Sequence, residues 1–574
     1  MTVRLALVLV LAIAAGCSKA TQPSTERLAI LPFEDLTAEG ETDRVGPSVL
    51  ASALSSVPNL VPVPVESRQQ AYSLHANLLL NAYVVSRNGR LQLQAGIEDA
   101  ATHKMLRTLQ VESDASQGMG PLVAKLALEI NAAAKPQNGN SNEAYELLNR
   151  ALRASTPAEQ DTAFQSAIQA DPHFAAAYIA WVRALLARGE RQQAAEIASQ
   201  GESAGLDDLS KVTLAYLQAR AQQDSAAEIA ALQKLTAMAP HDSEQYTRLA
   251  ELEFTSRQFA AAAAAYATAL RLDPDKGELA NMQGYAEAFN GNLEQARQAL
   301  KHYGEAVPEQ RANAFDSLGE VDFYSGDFAG AEAAFLSAKE YLKAAQARLM
   351  TGDLAGADHL FALSVKDRSA QWEFLTGRRK SALAHIQEEA AKAQGDRAAQ
   401  LWAQAAIWQL QTGDRYAAAT TARKAMAEAA TPAGRSLGGL AQFLAQSNAQ
   451  GGVQRSGSPI ADALAAIFRR DFQAALPALE QAYAKTSPST DGQIRVLLAW
   501  ASLETGHFDR AKELVRFVPI PMAAGDPMIA SLVFPRFFAI RGALLKRDGK
   551  QAGALRDLQL FQQYSGDLPD KEDR

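Results

Sequence analysis

The residues of this 574-residue chain that could carry chemistry are few and scattered. Its one thiol is Cys17, so there is no intrachain disulfide and no thiolate metal cluster. Histidines stand at 75, 103, 173, 241, 302, 359, 385 and 507. No two of them have the spacing of a zinc-binding helix, and no carboxylate lies between a pair as metal-assisted hydrolysis requires. A phosphate-cradling glycine loop ending in Lys-Ser or Lys-Thr, a Gly-x-Ser-x-Gly elbow and the kinase signatures are all missing from the sequence. Paired acids such as Glu388-Glu389 read as a solvated helix face. The expectation is a non-enzyme with no catalytic residue, no cofactor and no metal. What remains is binding chemistry: aromatics interleaved with acids at Glu251, Phe254, Tyr285, Phe289, Glu320, Phe323 and Tyr324. If these line one groove, they suit a protein or peptide segment carrying apolar and basic side chains. The alternative is that the aromatics pack between neighbouring helices as core.

A repeat positions them. Residues 243–274 hold Tyr246, Leu249 and Ala250, then Ala262, Tyr266 and Ala269, at helical spacing, with Arg257 and Gln258 at a turn and Pro274 as a stop. That is two amphipathic helices back to back, neither able to bury its apolar face alone. Pro172, Pro240, Pro274 and Pro308 are separated by 68, 34 and 34 residues, and Gly189 and Gly291 by 102, three times 34. A 34-residue helix–turn–helix period is the mark of a tetratricopeptide array. Small residues at Ala250, Gly284, Gly319, Ala262, Ala296 and Ala331 let helices approach, and Tyr246, Tyr266, Phe335 and Trp402 fill the layers between. Glycines 189, 291 and 326 suit the end of a first helix. The sequence predicts a mainly α fold, a right-handed α-solenoid of about ten to twelve repeats over 143–567, irregular at 340–390 and 432–460. Residues 518–535, VPIPMAAGDPMIASLVFP, are apolar but contain four prolines and Asp526, and predict a buried or partner-covered turn rather than a membrane span. The groove positions follow by register with the repeat. Chaperone-binding arrays of this family hold a terminal carboxylate with Lys and Asn on that surface, whereas Glu251 and Glu320 stand here, so carboxylate capture is not expected of them.

The chain opens MTVRLALVLVLAIAAGCSKA, with Arg4 before an apolar run from Leu5 to Ala15. As a helix that run rises about 16 Å, half of a hydrocarbon core, so it reads as a signal h-region. Ala14-Ala15-Gly16 directly before Cys17 resembles a bacterial lipobox, with Ala14 where leucine is usual. The resemblance implies cleavage before Cys17 and acylation there. Two or more acyl chains would anchor stably where one would be marginal. Ser18 after the cysteine implies sorting to an outer membrane, and Ser18–Glu26 reads as a polar tether.

From Arg27 the period changes to short strands. LAILPF (28–33), 60–65 and 76–85 read as strands, the second an edge because of its prolines. Asn88-Gly89 makes a tight turn into 91–97, Asp99–Thr102 a turn into 105–111, and helices are expected over 45–56, 69–74 and 120–133. This order, with ILPFEDL at its start and a hairpin ending IEDAATHKML, resembles the TolB amino-terminal domain family, with His103 where the family has glycine. The resemblance implies an α+β interaction module, and one mechanism open to it is recruiting a partner strand at a sheet edge.

The organisation is therefore a signal peptide and lipobox cysteine (1–17), tether (18–26), α+β domain (27–133), polar linker (134–142), solenoid (143–567) and charged tail (568–574). A formal net charge of −8 with both signs plentiful offers no basic footprint for nucleic acid. The reading is an envelope lipoprotein, membrane-bound through its anchor and facing the periplasm, that scaffolds protein partners in assembling or regulating an envelope complex. The alternatives are an activator whose small domain contacts a membrane enzyme, and an accessory for polysaccharide export or ligand carriage.

Overall fold

The computed structural model describes residues 25–37, 42–136, 141–364, 369–446, 456–488, 490–516 and 527–566. Cys17, most of the tether, residues 447–455 and 517–526 and the charged tail lie outside them. The chain divides into two compact units, residues 1–249 with 268–275, and 250–267 with 276–574.

The first unit begins with a six-stranded sheet: β1 (Glu26–Ile30), β2 (Glu34–Asp35), β3 (Leu60–Pro64), β4 (Leu78–Arg87), β5 (Arg90–Asp99) and β6 (Met105–Asp114). Their order is β3-β1-β4-β5-β6, with β2 added beside β4. β1 runs parallel to β3 and β4, while β4, β5 and β6 form an antiparallel meander. The Pro62- and Pro64-bearing strand is an edge, where missing N–H groups cost least. Asn88 and Gly89 adopt φ of 50° and 74°, the left-handed pair that a two-residue hairpin requires. His103 takes φ 56°, so a side chain occupies a conformation that glycine fills most readily. Helices α1 (Val45–Leu54) and α3 (Met119–Ile130) pack on one face, burying Ile30, Leu80, Leu93, Leu122 and Leu126. On the other face Ala29 and Leu79 meet α2 (Arg68–Ser73) through Ala71.

Polar pins fasten this module to the helices that follow. Asp43 accepts the amides of Val45 and Gly46 at 2.9 and 3.2 Å, and the Tyr145 hydroxyl, from the Asn142–Arg153 helix, at 2.5 Å. The Arg44 amide donates to Asn149 Oδ1 at 3.2 Å. Arg27, 7% exposed, donates to Asp273 at 3.0 Å and to Ser243 at 2.6 Å, and also to the Leu74 carbonyl. At the linker, the Lys135 amide donates to the Ala53 carbonyl at 2.8 Å, and Ser141 caps the helix Asn142–Arg153.

From Asn142 the chain is a helix-hairpin array, an α-solenoid of tetratricopeptide type preceded by the small α/β domain. First helices such as Ala175–Ala187, Glu278–Asn290 and Arg311–Ser325 end at Gly189, Gly291 and Gly326, with φ of 78°, 93° and 87°. Pairs shorten to Tyr341–Thr351 and Ala370–Leu375 in the irregular stretch. One expectation is overturned: the end of the proline-rich segment is a 21-residue helix, Pro527–Arg547, that continues through Pro535. An interior proline costs about 3 kcal/mol. Here Val533, Phe534, Phe537, Phe538 and Ile540 are buried around it, and each full burial contributes roughly 1.5–3 kcal/mol, so packing outweighs the break. No helix among the described residues is long and apolar enough to cross a membrane.

Burial holds the Asp43 carboxyl above its ordinary range, and the Tyr145 hydroxyl acts against that shift. The Tyr145→Phe variant should therefore lose about 1.5–3 kcal/mol at neutral pH, the worth of a hydrogen bond to a charged group. Because the phenol favours the ionised carboxylate, its removal lifts Asp43 further. The loss should then fade as pH falls through the carboxylate range, where both proteins hold Asp43 protonated. Urea unfolding of both proteins across that range checks it; a pH-independent loss would contradict the assignment.

Candidate functional site

The first helices Ser243–Thr255 (in the second unit from Ala250 onward), Glu278–Asn290 and Arg311–Ser325 carry the residues expected to form a groove, all of which lie in the second unit. Residues at their C-terminal ends meet across the repeats. Phe254 and Phe289 are edge to face at 5.7 Å, Phe259 stacks on Phe289 at 5.1 Å, and Phe289 meets Tyr324 at 6.1 Å. Phe254 and Phe289 are 4% and 6% exposed, and Phe323 has no exposed surface, facing Phe328 in the core. These aromatics thus form a ladder between layers, with Tyr324 at its half-buried end.

The polar members form a second chain of contacts. Tyr285 donates to Glu320 at 2.7 Å, and Lys343 donates to Glu320 and Asp316, each at 2.7 Å. Burial and the Glu320 charge push the Tyr285 phenol well up, so it stays a donor. Burial also raises Asp316, against the pull of Lys343. For Lys343 burial opposes the charge, but Glu320 and Asp316 outweigh it and the pKa is raised. Glu320 is half-buried among its neighbours, and Glu251 is exposed on the Ser243–Thr255 helix. The structure therefore brings together Phe254, Phe289 and Tyr324 by ring contact and Tyr285 with Glu320 by hydrogen bond, sets Phe323 in the core, and leaves Glu251 on the surface.

What the sequence reading missed is the chain's own C-terminal part lying along the turn edge of these repeats. Arg257, at φ 62° in the turn after Thr255, donates to Asp491 at 2.7 Å and to the Tyr483 and Thr486 carbonyls at 3.0 Å. Its guanidinium lies 3.9 Å over the Tyr483 ring. Asp491, 1% exposed, also binds Arg495 at 2.6 Å, and the Arg495 guanidinium sits 5.8 Å over Phe289. Further along, a Cβ at Gly377 would stand 2.5 Å from the Gln563 carbonyl oxygen, so contact there requires glycine. Tyr564 donates to the Leu349 carbonyl at 2.7 Å, and Arg379 donates to the Ser565 and Tyr564 carbonyls at 2.7 and 3.0 Å. The signal was present at one position: Arg257 stands 34 residues before Gly291 and 68 after Gly189, in a slot where a charged side chain replaces glycine.

No protein-family model matches the sequence, and no curated protein does either. Among solved structures, the chain is similar to that of MamA protein, at 17% identity and a TM-score of 0.26 over 30% of this chain and 96% of that one. It is similar to the structure of Naa15/Naa10 bound to HypK-THB, at 15% identity and a TM-score of 0.31 over 73% and 75% of the two chains. A tetratricopeptide repeat protein from Parabacteroides merdae aligns at 15% identity and a TM-score of 0.30, over 46% and 97%. The repeat architecture stands on the chain's own helices and turns.

The turn-edge ion pair sets two effects against each other. Arg257→Gly should relieve about 1 kcal/mol of left-handed backbone cost. It should also strand the buried Asp491 carboxylate, worth about 3–5 kcal/mol. The net expectation is destabilisation of about 2–4 kcal/mol in denaturant unfolding. A neutral or stabilised Arg257→Gly variant would show that the contact carries no weight.

Proposed function

We propose that this chain is a lipid-anchored scaffold of the bacterial envelope that binds protein partners on its repeat array. The observation that carries the reading is the row of solvent-reaching side chains on successive first helices, Glu251, Tyr285, Glu320 and Tyr324, in which Tyr285 is held to Glu320 by a hydrogen bond and Tyr324 to the buried Phe289 by ring contact. Side chains fixed before binding lose little entropy when a partner arrives, and the stacking of repeats presents an extended surface to an extended segment. Glu251 supplies the exposed acid on that surface and favours partners with basic side chains. Anchoring at Cys17, with sorting to the outer membrane from Ser18 and a periplasmic orientation, follows from the lipobox resemblance.

A second reading is favoured by β6. This edge strand exposes Met105 at 51% and Leu106 at 49%, and Arg107, whose charge could guard the edge, turns back to the Ile130 and Glu129 carbonyls at 3.0 and 2.9 Å. Such an edge is open to an added strand, as an activator with a TolB-amino-terminal-like module would need to reach a membrane enzyme.

Proximity crosslinking in intact cells, beside a Cys17→Ala control, separates the readings. The scaffold reading expects a discrete partner whose yield falls about tenfold with Glu251→Arg, since one like-charge contact readily exceeds the 1.4 kcal/mol that tenfold requires. A partner indifferent to Glu251→Arg but lost with Leu106→Lys would move the function to the small module. Capture unchanged by either substitution would remove both surfaces from consideration, and capture unchanged by Cys17→Ala would remove the anchor.

A further inference from the structure

Two adjacent apolar side chains stand in water at one end of the sheet. Met105 is 51% and Leu106 49% exposed, within an exposed run from Ala101 to Thr108. Neighbours on a regular strand point to opposite faces, and α3 covers one face of this sheet, so one of the two would ordinarily be buried. A bulge changes that. Glu98 pairs with Met105 and Ile97 with Arg107, so Leu106 is an extra residue with no counterpart across the ladder. Bulges re-aim side chains, and here both neighbours project together. Arg107, through the Ile130 and Glu129 carbonyls, brings the α3 C-terminus alongside, with Leu128 at 48% exposure. The turn itself does not need this pair: Asp99 closes it by accepting the Ala101 and Thr102 amides at 3.1 and 2.7 Å and the Thr102 hydroxyl at 2.7 Å. An added strand would be held by the backbone of β6, which leaves the projecting side chains still without a cover.

Strand register puts the pair at the end of the sheet where the tether enters. Leu28 pairs with Leu78, Leu78 with Asp99, and Glu98 with Met105. Asn77, just before β4, donates to the Thr25 carbonyl at 3.3 Å, and its own carbonyl accepts the Ala100 amide at 3.0 Å. Three strand spacings separate β1 from β6, about 15 Å. Cys17 stands eight residues before Thr25, a reach of at most about 28 Å. The Asn88-Gly89 turn lies at the opposite end, beyond the ten residues of β4, about 33 Å away. An anchor at Cys17 therefore brings the Met105 end of the sheet within reach of the bilayer surface.

We infer that this end of the small domain rests on the membrane, with Met105 and Leu106 entering the interfacial layer of the bilayer that holds the acyl chains. This rests on the anchored reading above and adds which face the domain turns to the lipid. Charge does not select the lipid, since Lys104 and Arg271 at this end stand beside Glu26, Asp99 and Asp275. The contact is apolar, and the anchor makes it local by confining the domain near the surface.

The test uses the purified acylated full-length lipoprotein in phosphatidylcholine vesicles. Cys17 is the one cysteine of the chain, and acylation occupies its thiol, so Leu106→Cys supplies a single free thiol for an environment-sensitive fluorophore. The expected result is a blue shift and loss of emission to a nitroxide-labelled lipid at position 106, unchanged when phosphatidylglycerol is added. The same probe at Arg87→Cys, on the opposite end of β4, should stay water-like. A probe at Lys104→Cys should be quenched, and should lose that quenching when Met105→Asp and Leu106→Asp are added. A water-like probe at 106 would overturn the proposal, as would quenching at 104 that survives both aspartates, since tether proximity would then suffice. Quenching that appears only with phosphatidylglycerol would make charge the cause and overturn the apolar contact. A shift seen in envelope fragments but not in pure lipid vesicles would assign the pair to a protein strand instead. Mass spectrometry of the amino-terminal peptide keeps the two failures apart: an unacylated Cys17 removes the anchored reading and this one with it, whereas an acylated chain with a water-like probe at 106 removes this one alone.

Discussion

The second unit depends on the buried charge cluster of Arg257, Asp491 and Arg495. A helical array ordinarily touches only its sequence neighbours, and its stability is then nearly a sum of local terms. Here a carboxylate with 1% exposure holds two arginines, one of them 234 residues away in sequence. Desolvating these groups is expensive, and the attraction offsets it only when the geometry is good and the remaining donors are used. The Arg257 donors are used: beyond Asp491 they reach two backbone carbonyls, and the planar face rests on Tyr483. The same seam continues through Gly377, Arg379 and Tyr564. One apolar core accordingly runs from Phe323 to Tyr564. Such long-range closure ties distant repeats into one cooperative body, at the cost of contacts that form late because their loops are long.

The first unit uses the same device in a smaller form. The α/β module is held by Asp43 with Tyr145 and by Arg27 with Asp273 and Ser243, polar groups that are expensive to bury and therefore tolerate few alternative dockings. An apolar interface would hold the module as tightly but with less definition of register. In both units, then, a few ionic and hydrogen-bonded contacts decide where large apolar surfaces may settle.

Local features were legible in the sequence and remote ones were not. The 34-residue grid, the left-handed glycines after first helices and the Asn88-Gly89 turn each follow from residues within one or two turns of one another, where periodicity and φ preferences act directly. The Arg257–Asp491 pair leaves no such trace, since nothing near either residue names the other. Pro535 misleads for a related reason: its local penalty is visible, while the aromatic burial that overrides it comes from packing elsewhere in the unit. The groove residues show where local reading becomes ambiguous. An aromatic at the end of a first helix can face a partner or the next repeat, and the spacing is the same in either case. The structure resolves Phe254 and Phe289 to the space between repeats and Glu251 to the surface.

The distribution of uncommitted charge then becomes the informative property of this array. Acids and bases that meet within it, such as Glu320 with Lys343 or Asp322 with Arg297, serve the fold and have little left for a ligand. Partner selection must rest on groups that face solvent. Glu251 in the second unit is an acid of that kind. Exposed charge governs encounter rate and partner discrimination more than total affinity, while the tightness of a complex comes from the apolar surface beside it. An array whose exposed side chains differ from repeat to repeat can therefore vary what it discriminates without altering its fold. The repeats supply a common geometry, and the side chains exposed on it set how that geometry discriminates.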